Sequence, residues 1–184
     1  MPYPFFVLTG GPCSGKTTII RALKDRGYFV IEEAAMRVIR SDPDGTLRAQ
    51  PLEFQRRILD LQLEDERRAL GSAVLGNPNG DSRVFVDRGI GDHFAYLALD
   101  GIEPFPELLK AWDEAVTRYQ AVFLLDGNPN YEATIERTET PEEARRAHES
   151  IKREYQSRHP RVERVKWDSV DARIEFILRL SAPR

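Results

Sequence analysis

Gly10, Gly11, Pro12, Cys13, Ser14, Gly15, Lys16, Thr17 and Thr18 have the types and spacing needed to hold a polyphosphate. They fit G-x-x-x-x-G-K-[ST] at every required position. Glycines at 10 and 15 leave room for main-chain N–H groups to turn inward onto phosphate oxygens. A helix beginning near Lys16 adds its positive end. Lys16 supplies a mobile charge for the β- and γ-phosphates, and Thr17 a hydroxyl for Mg²⁺. The expectation is a site for a magnesium-chelated nucleoside triphosphate.

Three further groups suit phosphoryl chemistry. Asp87 ends the apolar run Val84-Phe85-Val86, the usual place for an acid that orients Mg²⁺, often through water. Arg88 follows it and suits bidentate contact with an acceptor or a transferring phosphoryl group, or else an ordinary surface ion pair. Glu32 and Glu33 end a second apolar run, where a carboxylate could take the proton of an acceptor hydroxyl. Neighbouring side chains diverge, so one of them serves at most. Glu33 is the choice, with Asp87 the other candidate base; alternatively the pair merely starts a helix. The charged stretch Tyr131–His159 carries Arg137, Arg145, Arg146, Arg153 and Arg158. Such a stretch suits a lid that brings Arg137, and second Arg145, to the γ-phosphate; without a lid these arginines line a solvated face.

The elements that must position these groups alternate. Phe5–Thr9 reads as a buried strand and Lys16–Arg26 as a helix closed by Gly27. Tyr28–Ile31, Val84–Asp87, Ala121–Leu125 and Arg161–Trp167 read as further strands. A helix opened by Pro51 carries leucines at helical spacing, and Gly71–Ser82 reads as a surface connection. Asp92 is a candidate cap for a helix over His93–Leu99, and Thr140-Pro141-Glu142-Glu143 is a helix start. Trp167-Asp168-Ser169-Val170 follows the last strand, where a loop would border the adenine, and Ser169–Leu180 closes the chain as an amphipathic helix. Strands separated by helices imply a mostly parallel sheet covered on both faces, with ligands at the carboxyl ends of its strands.

Composition narrows the class. The 184 residues suit one well-cored domain, 1–184, with the lid-like excursion at about 131–159. A net charge of −3 gives no general attraction to nucleic acid or anionic membrane, and the Arg56-Arg57, Arg67-Arg68 and Arg145-Arg146 pairs are interleaved with acids. Nucleic acid is therefore disfavoured except as an acceptor, and a homodimer is admitted but not required. Cys13 is the single cysteine, which excludes a disulfide framework. His93, His148 and His159 have no metal-ligand spacing. No apolar run reaches a membrane-span length and no signal core opens the chain, so a cytoplasmic location is expected. A guanine-reading switch would add a base motif with lysine and a DxxG glycine; Ile90 stands where that glycine belongs and Asp126-Gly127-Asn128-Pro129 lacks the lysine. ATP is the expected nucleotide.

In order along the chain, Val7–Thr18, Gly27–Ala35, Val84–Gly89, Arg137-Thr138-Glu139 and Glu142–Arg145 resemble the NadR-like AAA domain family of small P-loop ATPases and kinases, related to nucleoside and nucleotide monophosphate kinases. The resemblance spans nearly the whole chain, and Cys13 replaces the glycine commoner at that loop position. It implies a three-layer α/β P-loop fold with a five-stranded parallel sheet of the nucleoside-kinase type. It also implies an Asp87-Arg88 pair at the acceptor side and an arginine-bearing helical lid around Arg137–Arg146. The implied activity is ATP- and Mg²⁺-dependent phosphoryl transfer to a hydroxyl of a small nucleoside-like or hydroxymethyl-pyrimidine acceptor. A nucleotide-dependent regulatory protein without an acceptor would share the loop and is the alternative.

Overall fold

A computed structural model describes residues 4–73, 81–129 and 140–182. The chain runs β1 (Phe5–Thr9), α1 (Lys16–Asp25), β2 (Phe29–Ile31), α2 (Ala34–Ser41), α3 (Pro51–Ala73), β3 (Val84–Asp87), α4 (Gly91–Leu99), α5 (Pro106–Ala115), β4 (Tyr119–Leu125), α6 (Pro141–Arg158), β5 (Val162–Val165) and α7 (Val170–Leu180). The strands form one sheet in the order β2-β3-β1-β4-β5, every pairing parallel. β1 lies at its centre, with Val7 opposite Val86 on one side and Val122 on the other.

Alternation along the strands sorts the core into two layers. Phe5 and Val7, with Val84, Val86, Val122 and Leu124, face α4, α5 and α6, where Phe94, Trp112 and Tyr155 pack. Phe6 and Leu8, with Phe85, Phe123 and Leu125, face α1 and α7. Parallel pairing places the carboxyl ends of all strands on one rim, so Gly10, Glu33, Asp87 and Asp126 leave the sheet at the same edge.

Several boundaries differ from the sequence reading: β4 begins two residues earlier, at Tyr119, α4 begins at Gly91, and β2 begins at Phe29. α3 continues through Gly71 to Ala73, because a single glycine at a helix end costs only about 1 kcal/mol. β5 is shorter than the alternation predicts, Val162–Val165. The larger correction concerns the expected lid. Thr140 caps α6 in a complete capping box with Glu143, and the helix buries Ala144, Ala147, Ser150, Ile151 and Tyr155. Residues 141–158 are thus a core helix packed against α4, not a weakly cored excursion. The rest of the expected lid, 131–139 with Arg137, lies outside the described residues.

Candidate active site

The loop after β1 turns where only glycine fits. At Gly10 φ is +140°, and a Cβ there would lie 2.5 Å from the Leu125 carbonyl oxygen. Gly15, also at positive φ, hands the chain to α1 at Lys16. The buried Lys16 side chain turns back over the loop. Its Nζ donates to the carbonyl oxygens of Gly10 (2.8 Å) and Gly11 (3.0 Å) and to Ser14 Oγ (3.1 Å). Burial, aided by the Arg88 charge, pulls its ammonium down to about 8. Neighbouring elements brace the loop from outside. Arg173 of α7 donates to the Ser14 carbonyl (2.8 Å) beneath the half-exposed Trp167 ring, and the Gly11 N–H donates to His148 Nδ1 of α6 (3.4 Å). The loop expected to border the adenine is therefore tied to the phosphate loop through Arg173.

Asp87, at the end of β3, is buried, and its Oδ1 has no hydrogen-bond partner among the described residues. Burial pushes its carboxyl up to about 6, against the pull of Lys16. Arg88 follows with φ +65°, a left-handed conformation that side chains disfavour by roughly 1–2 kcal/mol. The strain is held in place on both sides. Arg88 Nε donates to Glu33 (2.7 Å), Nη1 donates to Asp92 (3.1 Å), and the guanidinium lies over the Tyr96 ring at 5.3 Å. Glu33 is the N-cap residue of α2, but its side chain caps nothing and serves Arg88 instead. Burial alone would raise its carboxyl; Arg88 and Lys16 outweigh that and hold it below the usual glutamate value. Glu32 points out and pairs with Lys24 at 2.6 Å, so the two glutamates diverge as expected.

Asp92 is more than the helix cap its position suggests. It is buried and accepts from Thr9 Oγ1 (2.7 Å), Tyr155 Oη (2.8 Å) and the Gly89 N–H (3.1 Å) besides Arg88. The phosphate loop and this carboxylate–arginine cluster line a single cavity of about 530 Å³. Its far wall comes from α2 and α3, through residues such as Met36, Ile39, Phe54 and Ile58. Gln55, Gln62 and His93 line it too, and the sequence reading missed them. Their signal was present: Gln55 and Gln62 are polar residues seven apart on the helix that buries its leucines.

The residues fit a hard cation. Thr17 and Asp87 share the cavity, and the Asp87 Oδ1 is buried with no donor among the described residues. Among the described residues no three His, Cys, Asp or Glu side chains form a metal cage. An ion held by Thr17 and Asp87 would therefore complete its shell from phosphate and water, as Mg²⁺ does. Arg145 is not brought to the site: its side chain is 70% exposed and pairs loosely with Glu142 at 4.0 Å. The Ala144–Ala147 face of α6 turns inward, which turns Arg145 out.

A family model described as AAA domain matches residues 5–173. The chain belongs to that family. No curated protein matches its sequence. Solved structures are similar in fold. The NadR protein in complex with NR superposes with a TM-score of 0.73 at 15% identity, over 100% of this chain and 52% of that one. This chain thus spans about half the length of the NadR structure. Thymidylate kinase from Ehrlichia chaffeensis gives 0.66 at 14% identity, covering 97% of this chain and 98% of its own. Deoxyadenosine kinase from M. mycoides, solved with dCMP and dCDP, gives 0.60 at 12% identity, covering 96% and 97%. The sheet and helices are those of a P-loop kinase fold of the NadR type. Among the described residues no helix is long and apolar enough to cross a membrane.

Proposed function

We propose that the protein is an ATP- and Mg²⁺-dependent kinase that phosphorylates a hydroxyl of a small, uncharged, nucleoside-like acceptor. The observation that carries this reading is one cavity with two unlike ends. The phosphate loop forms one end, and a compartment walled by α2 and α3, beyond Asp87, Arg88 and Glu33, forms the other. A protein that only hydrolyses a nucleotide has no use for the second compartment. Its wall from α2 and α3 (Ala34, Ala35, Met36, Ile39, Phe54, Gln55, Ile58 and Gln62) carries no charged side chain, which favours a nucleoside over a nucleotide. The kinase folds that resemble this one agree with the assignment.

Phosphoryl transfer asks for alignment and charge neutralisation rather than covalent help from the protein. Loop N–H groups and Lys16 would hold the donor phosphates, Lys16 exchanging its carbonyl partners for phosphate oxygens. Magnesium, held by Thr17 and Asp87, would neutralise charge on the donor. Glu33, fixed by Arg88, remains to accept the hydrogen bond of the acceptor hydroxyl. A carboxylate of low basicity suffices there, because a loose transition state needs orientation more than early proton removal. Arg88 faces the same cavity and would offset charge on the transferring group. Arg137 remains the candidate for a further guanidinium from the lid.

The test is acceptor-dependent ADP formation over a panel of nucleosides, ribosides and hydroxymethyl-pyrimidine nucleosides or DNA. Phosphorylated product should appear with an acceptor of the first classes, and Lys16→Ala should lower kcat by about 10²–10³-fold with the far-UV spectrum unchanged. ADP formed at the same rate with and without every acceptor would instead establish the regulatory ATPase.

A further inference from the structure

Gln55 and Gln62 stand two turns apart on α3 and grip His93 of α4 between them. His93 Nδ1 lies 2.7 Å from Gln55 Oε1 and Nε2 lies 3.2 Å from Gln62 Oε1. The ring is 3% exposed, and burial together with the Arg88 charge brings it down to about 4, so it is neutral at pH 7. A neutral imidazole has one N–H: one nitrogen donates and the other accepts. Gln62 decides which. Its Nε2 lies 3.2 Å from the Arg88 carbonyl oxygen and 3.2 Å from Glu66 Oε1. Glu66 is in turn held by the Arg118 guanidinium (2.8 Å) and the Tyr119 hydroxyl (2.7 Å). Two acceptors fix the Gln62 NH₂ on that side and its carbonyl towards His93. His93 Nε2–H therefore donates to Gln62, and Nδ1 must accept. An acceptor Nδ1 cannot face the Gln55 Oε1 acceptor, so the Gln55 amide is turned end for end and presents its NH₂ to Nδ1; the two ends of an amide have the same shape and only the hydrogen-bond network tells them apart. The other end of the Gln55 amide has no partner among the described residues and belongs to the cavity lining.

We infer that Gln55 is the residue that reads the acceptor, presenting a carbonyl oxygen to the cavity and so selecting a ring whose buried edge carries an amide N–H or amino group. His93 and Gln62 are positioning residues: their polar atoms are already engaged with each other, Gln55, Arg88 and Glu66, and they act by fixing the direction of the Gln55 amide. Phe54, Ile58 and Met36 beside it supply apolar contact for the faces of such a heterocycle. A ring with only acceptors on that edge would leave the carbonyl desolvated and unpaired, which is what makes hydrogen-bonded pockets selective. The selection of an acceptor rests on the kinase reading above, whereas the direction of the amide does not.

Two measurements test it. In ¹⁵N-labelled protein, long-range ¹H–¹⁵N spectra of the His93 ring at pH 7 should show the neutral Nε2–H tautomer. The Nδ1–H tautomer or an imidazolium would overturn the inference. Acceptor kinetics then use matched probes differing in one donor: adenosine against purine riboside, and uridine against 3-methyluridine. The donor-bearing member of a turned-over pair should have a kcat/KM about 10- to 100-fold higher, and Gln55→Met should bring that ratio close to one. Equal rates within a pair in the unmodified protein, or a ratio untouched by Gln55→Met, would overturn the inference. If neither pair gives acceptor-dependent ADP, the kinase reading loses support on these probes while the His93 tautomer still decides for or against the inferred amide direction.

Discussion

Asp92 has no capacity left for a ligand: Thr9, Tyr155, Gly89 and Arg88 already occupy its carboxylate, and it is almost fully buried. Its work is to join β1, the turn after β3, and α6 to the guanidinium that faces the cavity. Asp92→Asn would keep the shape but turn an amide NH₂ towards donors, leaving buried groups unpaired. The expected cost is about 2–4 kcal/mol, read as a lower urea midpoint, with kcat reduced as Arg88 loses its fixed direction. A midpoint equal to that of the unmodified protein would remove Asp92 from this role. The residue was visible in the sequence only as a possible cap, because two of its partners, Thr9 and Tyr155, lie far from it in the chain. Asp87 and Arg88 were legible for the opposite reason: a strand ending in an acid and an arginine is a local pattern, and the sheet rim does the rest.

Among the elements, α6 is where sequence and structure part most. Its mean hydropathy is low, and Tyr131–His159 reads as a charged lid. Yet Ala144, Ala147, Ile151 and Tyr155 make a continuous helical face, and Ser150 donates to the Ala95 carbonyl of α4 at 3.0 Å. Small residues let α4 and α6 approach, and small residues barely register on a hydropathy scale. The contact is tight at Gly91, where a Cβ would lie 2.5 Å from Tyr155 Cε1. Gly91→Ala should therefore cost about 1–3 kcal/mol despite the better helix propensity of alanine. It would appear as a lower Tm, with Gly71→Ala, a site with open space around it, as the control that should not fall. A stabilised Gly91→Ala protein would show that the two helices separate freely.

On the scale of the whole molecule, His93 links folding to pH. Its unfolded value is near 6.5 and burial brings the folded value down to about 4, so folding expels a proton between these limits. The stability this ring contributes is complete above about pH 6.5 and is lost as the pH falls towards 4, by about 3 kcal/mol. Urea unfolding from pH 7 to pH 4 should show a shallower decline in His93→Gln than in the unmodified protein; parallel declines would rule the histidine out as the source. A magnesium nucleotide should raise Tm over the same assay, about 2.7 kcal/mol at a hundredfold excess over Kd, and Lys16→Ala should lose most of that gain. What the sequence determined alone is whatever depends on neighbours along the chain: the phosphate loop, the alternation that orders strands and helices, and the acid and arginine closing β3. The tertiary structure decided the rest. Glu33 meets Arg88 across two strand ends, Asp92 is buried where β1, the turn after β3 and α6 meet, Arg145 turns outward, and two glutamines on one helix set the tautomer of a histidine on another. Each of these depends on distances between residues remote in sequence, and such distances exist only once the sheet has closed and the helices have packed on it.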